Sequence, residues 1–360
     1  MRILQYGLTN HVGGIETYLR KITTTLHNNN DLEFSFLIIG NEQPCFYEEF
    51  LKLGCKFYFI TPRKQSYFKN YSELVSLLET EKFDVCHFHF NSLSYILPAK
   101  IASKYCDKII IHSRNADVKL GIISNVLHKI NYFLIPKNAY LVAVSDLAGK
   151  WMYGKKQFKV INNGIKLQSY KYNPISRKEL REKYGMNDNI VVTNVGAFRY
   201  QKNHKFLLEI FRALMEINDH YKLVLVGDGS LLNVMKDYAR KLNIEKNILF
   251  LGNMDNIADI LSASDAFIFP SFYEGFPNAL LEAHASNLNS FYSDTITKDI
   301  DFPKLGIRIS LEKTAENWAI IIDEKMRNKN NRDNYNDHDE LRKFSVENEI
   351  HILQKLYRGI

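Results

Sequence analysis

The sequence predicts an α/β protein made of two doubly wound domains, and three observations carry that expectation. The chain has 360 residues, enough for about two domains at roughly 150 residues each. Its strands read as short, continuously apolar runs alternating with amphipathic helical stretches, the pattern of a parallel sheet covered on both faces. After a polar linker the same alternation starts again.

In the first half, 2–8 reads as a buried strand, 9–14 as a polar loop bearing Gly13 and Gly14, and 15–27 as a helix with apolar positions at Ile15, Tyr18, Leu19, Ile22 and Leu26. Further strands are expected at 33–39, 56–60, 84–88, 108–112 and 140–144, with helices such as 71–80 and 94–104 between them. The segment 158–165, with its Asn-Asn-Gly turn, closes this half, and 166–174 forms the linker.

The second half opens with a helix at 176–184. Strands follow at 190–196, 221–226, 247–251, 266–269 and 290–292, and helices at 205–217, 231–242, 257–262, 278–285 and 314–327. Asn, Lys and Asp crowd 328–339, which reads as a solvated loop, and a last helix spans 340–357. The expected organisation is a domain over 1–165, a second over 166–340, and a terminal helix over 341–360 packing back on the first. The two domains are expected to face each other across a cleft, with ligands at the carboxyl ends of the strands.

Composition narrows the classes. With 46% hydrophobic and 24% charged residues the chain is neither disordered nor collagen-like. Cys45, Cys55, Cys86 and Cys106 form no C-x-x-C pair and read as reduced thiols, and no apolar run approaches the ~20 residues that span a bilayer. The start MRILQYGL lacks the features of a signal peptide, so a cytoplasmic location is expected. The net charge of +7 is confined to 1–165, which holds 20 Lys and Arg against 13 Asp and Glu, whereas 166–360 holds 27 of each. An anionic ligand or surface is therefore expected for the first half.

The chemistry-bearing residues gather at strand ends. Ser271-Phe-Tyr-Glu274-Gly-Phe-Pro-Asn-Ala-Leu-Leu-Glu282 places two glutamates on either side of a strand-to-helix turn, with Pro277 at the helix start and Asn278 near the cap. Free N–H groups and the positive end of the helix dipole suit an anion there, and each carboxylate can accept two hydroxyl donors of a sugar. Taken alone, such a pair is more often a dipole-satisfied helix glutamate and a surface one. Upstream, Val195-Gly-Ala197-Phe-Arg199-Tyr-Gln-Lys202 brings two cations to another strand end, placed to neutralise a diphosphate.

With Val226-Gly-Asp228-Gly-Ser230, Leu251-Gly-Asn253, Ala263-Ser-Asp265 and the Gly13-Gly14-Ile15-Glu16 loop in this order, the chain resembles family 4 retaining glycosyltransferases of the GT-B fold, in which two Rossmann-like domains face each other. Bacterial enzymes of capsule and exopolysaccharide assembly are the most similar, through His87-Phe-His89-Phe-Asn91, Ile110-Ile-His112-Ser-Arg114-Asn115, Lys150-Trp151-Met-Tyr-Gly154 and Val160-Ile-Asn-Asn-Gly-Ile165. The resemblance implies transfer of a sugar from a UDP- or GDP-sugar to a saccharide or lipid-linked saccharide, with retention of configuration and without a metal or other cofactor. It further implies that Glu282 holds the ribose, Glu274 the donor sugar and Lys202 the diphosphate, which Gly13 and Gly14 approach through their backbone. Asn253, Gly275, Phe276, Pro277, Asn278 and Ala279 complete the implied donor site.

Three positions depart from the family pattern. Ala197 stands where an arginine is usual, leaving Arg199 as the substitute. Arg114 stands where similar proteins often carry a histidine that contacts the reacting sugar, so His112 and Arg114 are both candidates for that contact. Asn287-Leu288-Asn289 replaces Gly-Leu-Pro before the next strand.

Other signals are weaker. Gly13-Gly14 is not G-x-G-x-x-G and no acidic residue ends the second strand, which argues against a dinucleotide oxidoreductase. His87 and His89 lack a third ligand at useful spacing, so no metal site is expected, and no basic aromatic stripe points to nucleic acid. The alternative reading is a non-catalytic sugar-nucleotide-binding partner of another glycosyltransferase. Finally, 119–136 joins Leu120, Ile122, Ile123, Val126, Leu127, Ile130, Phe133, Leu134 and Ile135 to Lys119, His128 and Lys129. It reads either as a surface resting on the cytoplasmic face of an anionic membrane or as an ordinary helix packed on the first sheet.

Overall fold

A computed structural model describes all residues except 28–30, 117–119, 328–331, 333–338 and 360. The expected loop at 328–339 thus lies outside the described residues apart from Arg332 and Asp339. The chain divides into two compact units, one of residues 1–163 with 347–360, the other of residues 164–346.

The first unit holds seven strands, β1 (Arg2–Tyr6), β2 (Glu33–Ile39), β3 (Lys56–Ile60), β4 (Val85–Phe90), β5 (Lys108–Ser113), β6 (Ala139–Ala143) and β7 (Lys159–Val160). They form one parallel sheet in the order β3-β2-β1-β4-β5-β6-β7. Its helices are α1 (Gly14–Leu26), α2 (Tyr47–Lys52), α3 (Tyr67–Glu81), α4 (Leu97–Ala102), α5 (Ile122–Tyr132) and α6 (Asp146–Tyr153). Helix α1 buries Ile15, Tyr18, Leu19, Ile22 and Leu26 on one face, each contributing roughly 1.5–3 kcal/mol of transfer free energy. Helices α3 and α6 start at Ser66 and Ser145, whose hydroxyls accept the N–H groups of Lys69 and Ala148.

The second unit contains α7 (Pro174–Lys183), β8 (Ile190–Val195), α8 (His204–Ile217), β9 (Tyr221–Val226), α9 (Leu232–Lys241), β10 (Ile248–Gly252), α10 (Ile257–Ala263), β11 (Ala266–Phe269), α11 (Asn278–Ala285), β12 (Asn289–Ser293), β13 (Gly306–Ile309) and α12 (Ala315–Arg327). Its strands are also parallel, in the order β10-β9-β8-β11-β12-β13. Helix α7 begins two residues before the expected start because the Asn173 side chain accepts from the N–H groups of Ile175 and Ser176 with Pro174 at the first helical position. Trp318 is fully buried against Phe206 and donates its indole N–H to Ser310 O at 3.0 Å.

The departure at Asn287-Leu288-Asn289 leaves the strand entry intact. Asn287 takes the left-handed conformation (φ 53°) that a glycine would adopt, and Leu288 N–H closes the helix end on Ala283 O. Asp265 pairs with Arg177 and Arg181 and accepts the Val191 N–H at 2.7 Å, so this motif residue ties α7 to the entry of β8.

The last helix, α13 (Val346–Arg358), starts later than expected, because Val346 N–H bonds back to Ile165 O at 3.0 Å and Gly164 lies so close to Ser345 that a Cβ would sit 2.5 Å from its carbonyl oxygen. Leu353 and Tyr357 of α13 are buried in the same apolar cluster as β1, α1 and β2.

Candidate active site

In the second unit, the loops after β8, β9, β10 and β11 are tied together at the carboxyl edge of the sheet. Gly227 (φ 132°) and Gly229 (φ 156°) bring the β9 loop against the β8 loop; a Cβ at Gly227 would stand 2.2 Å from Gly196 O. Phe198 N–H donates to Asp228 O and Gly227 N–H to Gly252 O. Asp228 itself accepts the Gly229 N–H at 2.7 Å, a turn role. The β8 and β11 loops are joined by Phe272 N–H to Gln201 O, Gln201 Nε2 to Tyr273 O and Asn203 Nδ2 to Pro270 O.

This frame fixes Lys202. Its stem lies over Gly196, where a Cβ would come within 3.2 Å of Cδ and Cε, and its ammonium is 2.8 Å from Glu274 Oε1 and 4.9 Å from the centre of the Phe269 ring. Gln201 Nε2 donates to the other Glu274 oxygen at 3.1 Å, so this buried carboxylate is held on both sides. Glu282 stands one turn into α11. Although the residue keeps some solvent contact, its carboxyl lies deep, and burial pushes it up to about 7 against the opposing effects of the Tyr170 hydroxyl and the Lys202 charge. Tyr170, in a 3-10 turn within the expected linker, hydrogen-bonds Glu282, and its own phenol is raised by burial and by that carboxylate.

Helix α11 has Pro277 as its N-cap and no side-chain cap, with Asn278 its first residue rather than its cap. Gly275 and Phe276 are buried in the preceding turn, and Asn278 and Ala279 are partly exposed at its start. Arg199 is exposed beside the Lys202 turn, and Asn253 is exposed beyond β10, which lies three strands from β11. The structure therefore joins Lys202, Glu274 and Glu282, and leaves Arg199 and Asn253 on the rim.

In the first unit, Gly13 is the N-cap of α1. A Cβ there would meet Glu16 Oε2 at 2.8 Å, whereas one at Gly14 would meet nothing within 4 Å. The Glu16 carboxylate is held by the Thr9 hydroxyl at 2.6 Å beside the glycine pair. At the end of β5, His112 and Arg114 are both buried. Arg114 Nη1 lies 3.2 Å from His112 Nε2, Nη2 donates to Asn163 Oδ1 at 2.8 Å, and the guanidinium sits 3.6 Å over the centre of the Tyr18 ring.

His112 also supplies the third histidine that sequence spacing lacks. Parallel pairing sets His89 opposite His112, and His87, His89 and His112 offer nitrogens within 4.8 Å of one another. The expectation that no third ligand lies nearby is corrected, since ladder register rather than spacing brings it in. Five of the six nitrogens are already engaged, however: His87 Nε2 with His112 Nδ1 at 3.2 Å, His87 Nδ1 with the Tyr357 hydroxyl at 2.9 Å, His89 Nε2 with Gln5 Oε1 at 2.9 Å and His112 Nε2 with Arg114, which leaves His89 Nδ1 alone unpartnered. The positive Arg114 beside them lowers the proton affinity of the His87, His89 and His112 rings, chiefly already depressed by burial. That is a poor setting for a metal cation.

Sequence reasoning missed Tyr170, Tyr18 and Tyr357. Tyr18 was assigned to the apolar face of its helix, Tyr170 lies in a stretch without periodicity, and Tyr357 is distant in sequence from every residue it serves.

The sequence profile described as Glycosyl transferases group 1 matches residues 176–300, and that described as Glycosyltransferase Family 4 matches residues 12–169. EpsF of Bacillus subtilis (strain 168) is 31% identical over 86% of this chain and 84% of its own length. The capsular polysaccharide biosynthesis glycosyltransferase CapH of Staphylococcus aureus is 26% identical over 76% of each chain. Among solved structures, Anabaena Alr3699/HepE in complex with UDP superposes with a TM-score of 0.82 at 16% identity, covering 100% of both chains. Two parallel-sheet α/β units with these strand-end loops define a sugar-transferring enzyme of the GT-B fold. The chain belongs to glycosyltransferase family 4.

Proposed function

We propose that the chain transfers a sugar, with retention of configuration and without a metal, from a UDP- or GDP-sugar to a saccharide or lipid-linked saccharide acceptor in capsule or exopolysaccharide synthesis. The observation that carries this reading is Lys202, held at the carboxyl edge of the second sheet and acting on both Glu274 and Glu282. In this reading Glu282 accepts the ribose hydroxyls, Glu274 the hydroxyls of the donor sugar, and Lys202, Arg199 and the start of α11 at Gly275–Ala279, with the positive end of its dipole, take the charge that develops on the departing diphosphate. The leaving phosphate accepts the acceptor's proton on the face it vacates, which keeps the configuration. The first unit presents the acceptor, with Arg114 rather than His112 as the polar contact. His112 is fully buried with both ring nitrogens engaged, whereas Arg114 carries further donors on its fork.

Two relatives support the ligand classes. HepE has been solved with UDP-glucose, and an Escherichia coli relative, 31% identical over 63% of this chain, is named as a UDP-Gal:alpha-D-GlcNAc-diphosphoundecaprenol alpha-1,3-galactosyltransferase. A peripheral membrane location fits that acceptor class. Among the described residues no helix is long and apolar enough to cross a membrane, and no residue of α5 is buried. Helix α5 rests on the first unit through His128 and Asn131, which bond the Leu93 backbone, while Ile122, Ile123 and Phe133 are 85%, 77% and 80% exposed, an apolar surface that suits lipid. Lys129 and Lys137 flank this apolar surface and suit lipid phosphates, while Lys119 lies outside the described residues.

Release of UDP or GDP from a panel of nucleotide sugars, with lipid-linked and free saccharides as acceptors, tests the reading. Turnover on one pair supports it. The second reading, a non-catalytic binding partner, is favoured by Ala197 in place of arginine, and binding of a nucleotide sugar without turnover on any acceptor would establish it in place of the first.

A further inference from the structure

Arg114 dictates where every proton lies in the buried chain behind it. A guanidinium only donates, so His112 Nε2, 3.2 Å from Nη1, must be the bare nitrogen of that ring. His112 then carries its proton on Nδ1 and gives it to His87 Nε2 at 3.2 Å. His87 in turn carries its proton on Nδ1 and donates to the Tyr357 hydroxyl at 2.9 Å, where the Gln5 amide also donates at 3.2 Å. The opposite order, with Tyr357 donating inward, would put a proton on His112 Nε2 facing an arginine N–H, and is excluded while the arginine is present. All these residues belong to the first unit, and Tyr357 comes from α13, the last helix of the chain.

We infer that Tyr357 and His87 are positioning residues for Arg114: through His112 they brace its guanidinium from behind, in one proton order, while Asn163 and the Tyr18 ring hold its other sides. Both rings stay neutral. Neither acts as an acid or base, and the arginine alone meets substrate. The consequence for activity rests on the transferase reading, whereas the proton order does not.

Nitrogen-15 spectra of histidine-labelled protein read the ring tautomers directly. In the wild-type chain His112 and His87 should both show protonated Nδ1 and bare Nε2. In Arg114→Met the excluded order becomes available and both rings should move toward protonated Nε2, whereas Arg114→Lys, which still donates, should keep the wild-type pattern. Protonated Nε2 on His112 in the wild type, or tautomers unmoved by Arg114→Met, would overturn the proton order whether or not the chain proves to be a transferase. The wild-type spectrum decides even if a variant fails to fold. In the activity arm, Tyr357→Phe should lower turnover about fivefold, the weight of one ordinary hydrogen bond. Its affinity for UDP, read by calorimetry, should not change. Loss of turnover and UDP binding together, or of neither, would defeat the positioning role.

Discussion

The Lys202 ammonium lies 2.8 Å from Glu274 Oε1, so the cation proposed to meet the diphosphate is already the counter-ion of a buried carboxylate. Donor binding must therefore divide one positive charge between two anions. Gln201, on the other Glu274 oxygen, supplies part of the compensation when that happens.

Lys202→Ala should consequently do two things. It weakens donor binding by about 1.5–3 kcal/mol, the range for a charge-assisted hydrogen bond. It also strands Glu274 and lowers stability by about 2–3 kcal/mol, somewhat under the full cost of breaking a wholly buried pair. Lys202→Met/Glu274→Gln should recover most of the stability and none of the binding. Urea titrations alongside UDP calorimetry check this; full stability in Lys202→Ala would show that Glu274 does not depend on the pair.

Glu282 provides a pH signature. Its folded value of about 7 exceeds the ordinary 4.5, so the native state holds the extra proton between those values, and the contribution of this group to stability falls as pH rises from 4.5 to 7. The loss amounts to roughly 3 kcal/mol. Burial depresses His87 to about 3, His204 to about 4 and His284 to about 3, and these act in the opposite sense, losing stability as pH falls below the ordinary 6.5. Three histidines outweigh one carboxylate, so the wild-type curve should rise towards neutrality. Glu282→Gln should gain on wild type as pH rises from 5 to 7.5. UDP affinity should increase through pH 7 in the wild type alone, because only the carboxylate accepts two hydroxyl protons.

Turnover, once a donor and acceptor pair is found, should survive EDTA. A complete loss restored by Mg²⁺ would replace the proposed electrostatics of Lys202 and Arg199 with a metal.

Vesicle co-sedimentation addresses α5. Binding to anionic vesicles should fall as salt rises, and Phe133→Ser and Lys129→Glu should each weaken it, the lysine by roughly 1 kcal/mol or more. Equal recovery on neutral and anionic vesicles at low salt would remove the electrostatic part of the proposal.

Gly227→Ala should destabilise the second unit by about 2–4 kcal/mol, since it combines φ 132° with a carbonyl 2.2 Å from the new carbon. Asn287→Ala, at φ 53°, should cost only about 1 kcal/mol.

The fold was readable because parallel strands buried on both faces are continuous apolar runs, and β1, β2, β5, β9 and β11 fall where those runs lie. Strands β7 and β13 were harder: one has two residues, and the other, Gly306-Ile-Arg-Ile309, has partly exposed positions and an arginine. Of the site, Lys202, Glu274 and Glu282 could be read because each stands at a turn next to a strand end. The partnership of Tyr170 with Glu282 and of Tyr357 with His87 could not, since both depend on which segments the chain folds together across 112 and 270 positions respectively.

The place of α13 in the first unit bears on how the protein is made. Leu353 and Tyr357 complete a core begun by Ile3, Ile15 and Phe36, yet they leave the ribosome only after all of residues 164–346. At about 5–20 residues per second this delay is on the order of ten seconds or more. During it the second unit, contiguous in the chain, is free to fold, while the first waits with an apolar gap and an unbraced Arg114. The usual order of synthesis, amino-terminal domain first, is here reversed for the final locking step. A chain stalled a dozen residues early would thus carry a finished second unit and an unfinished first, a natural substrate for chaperones and proteases.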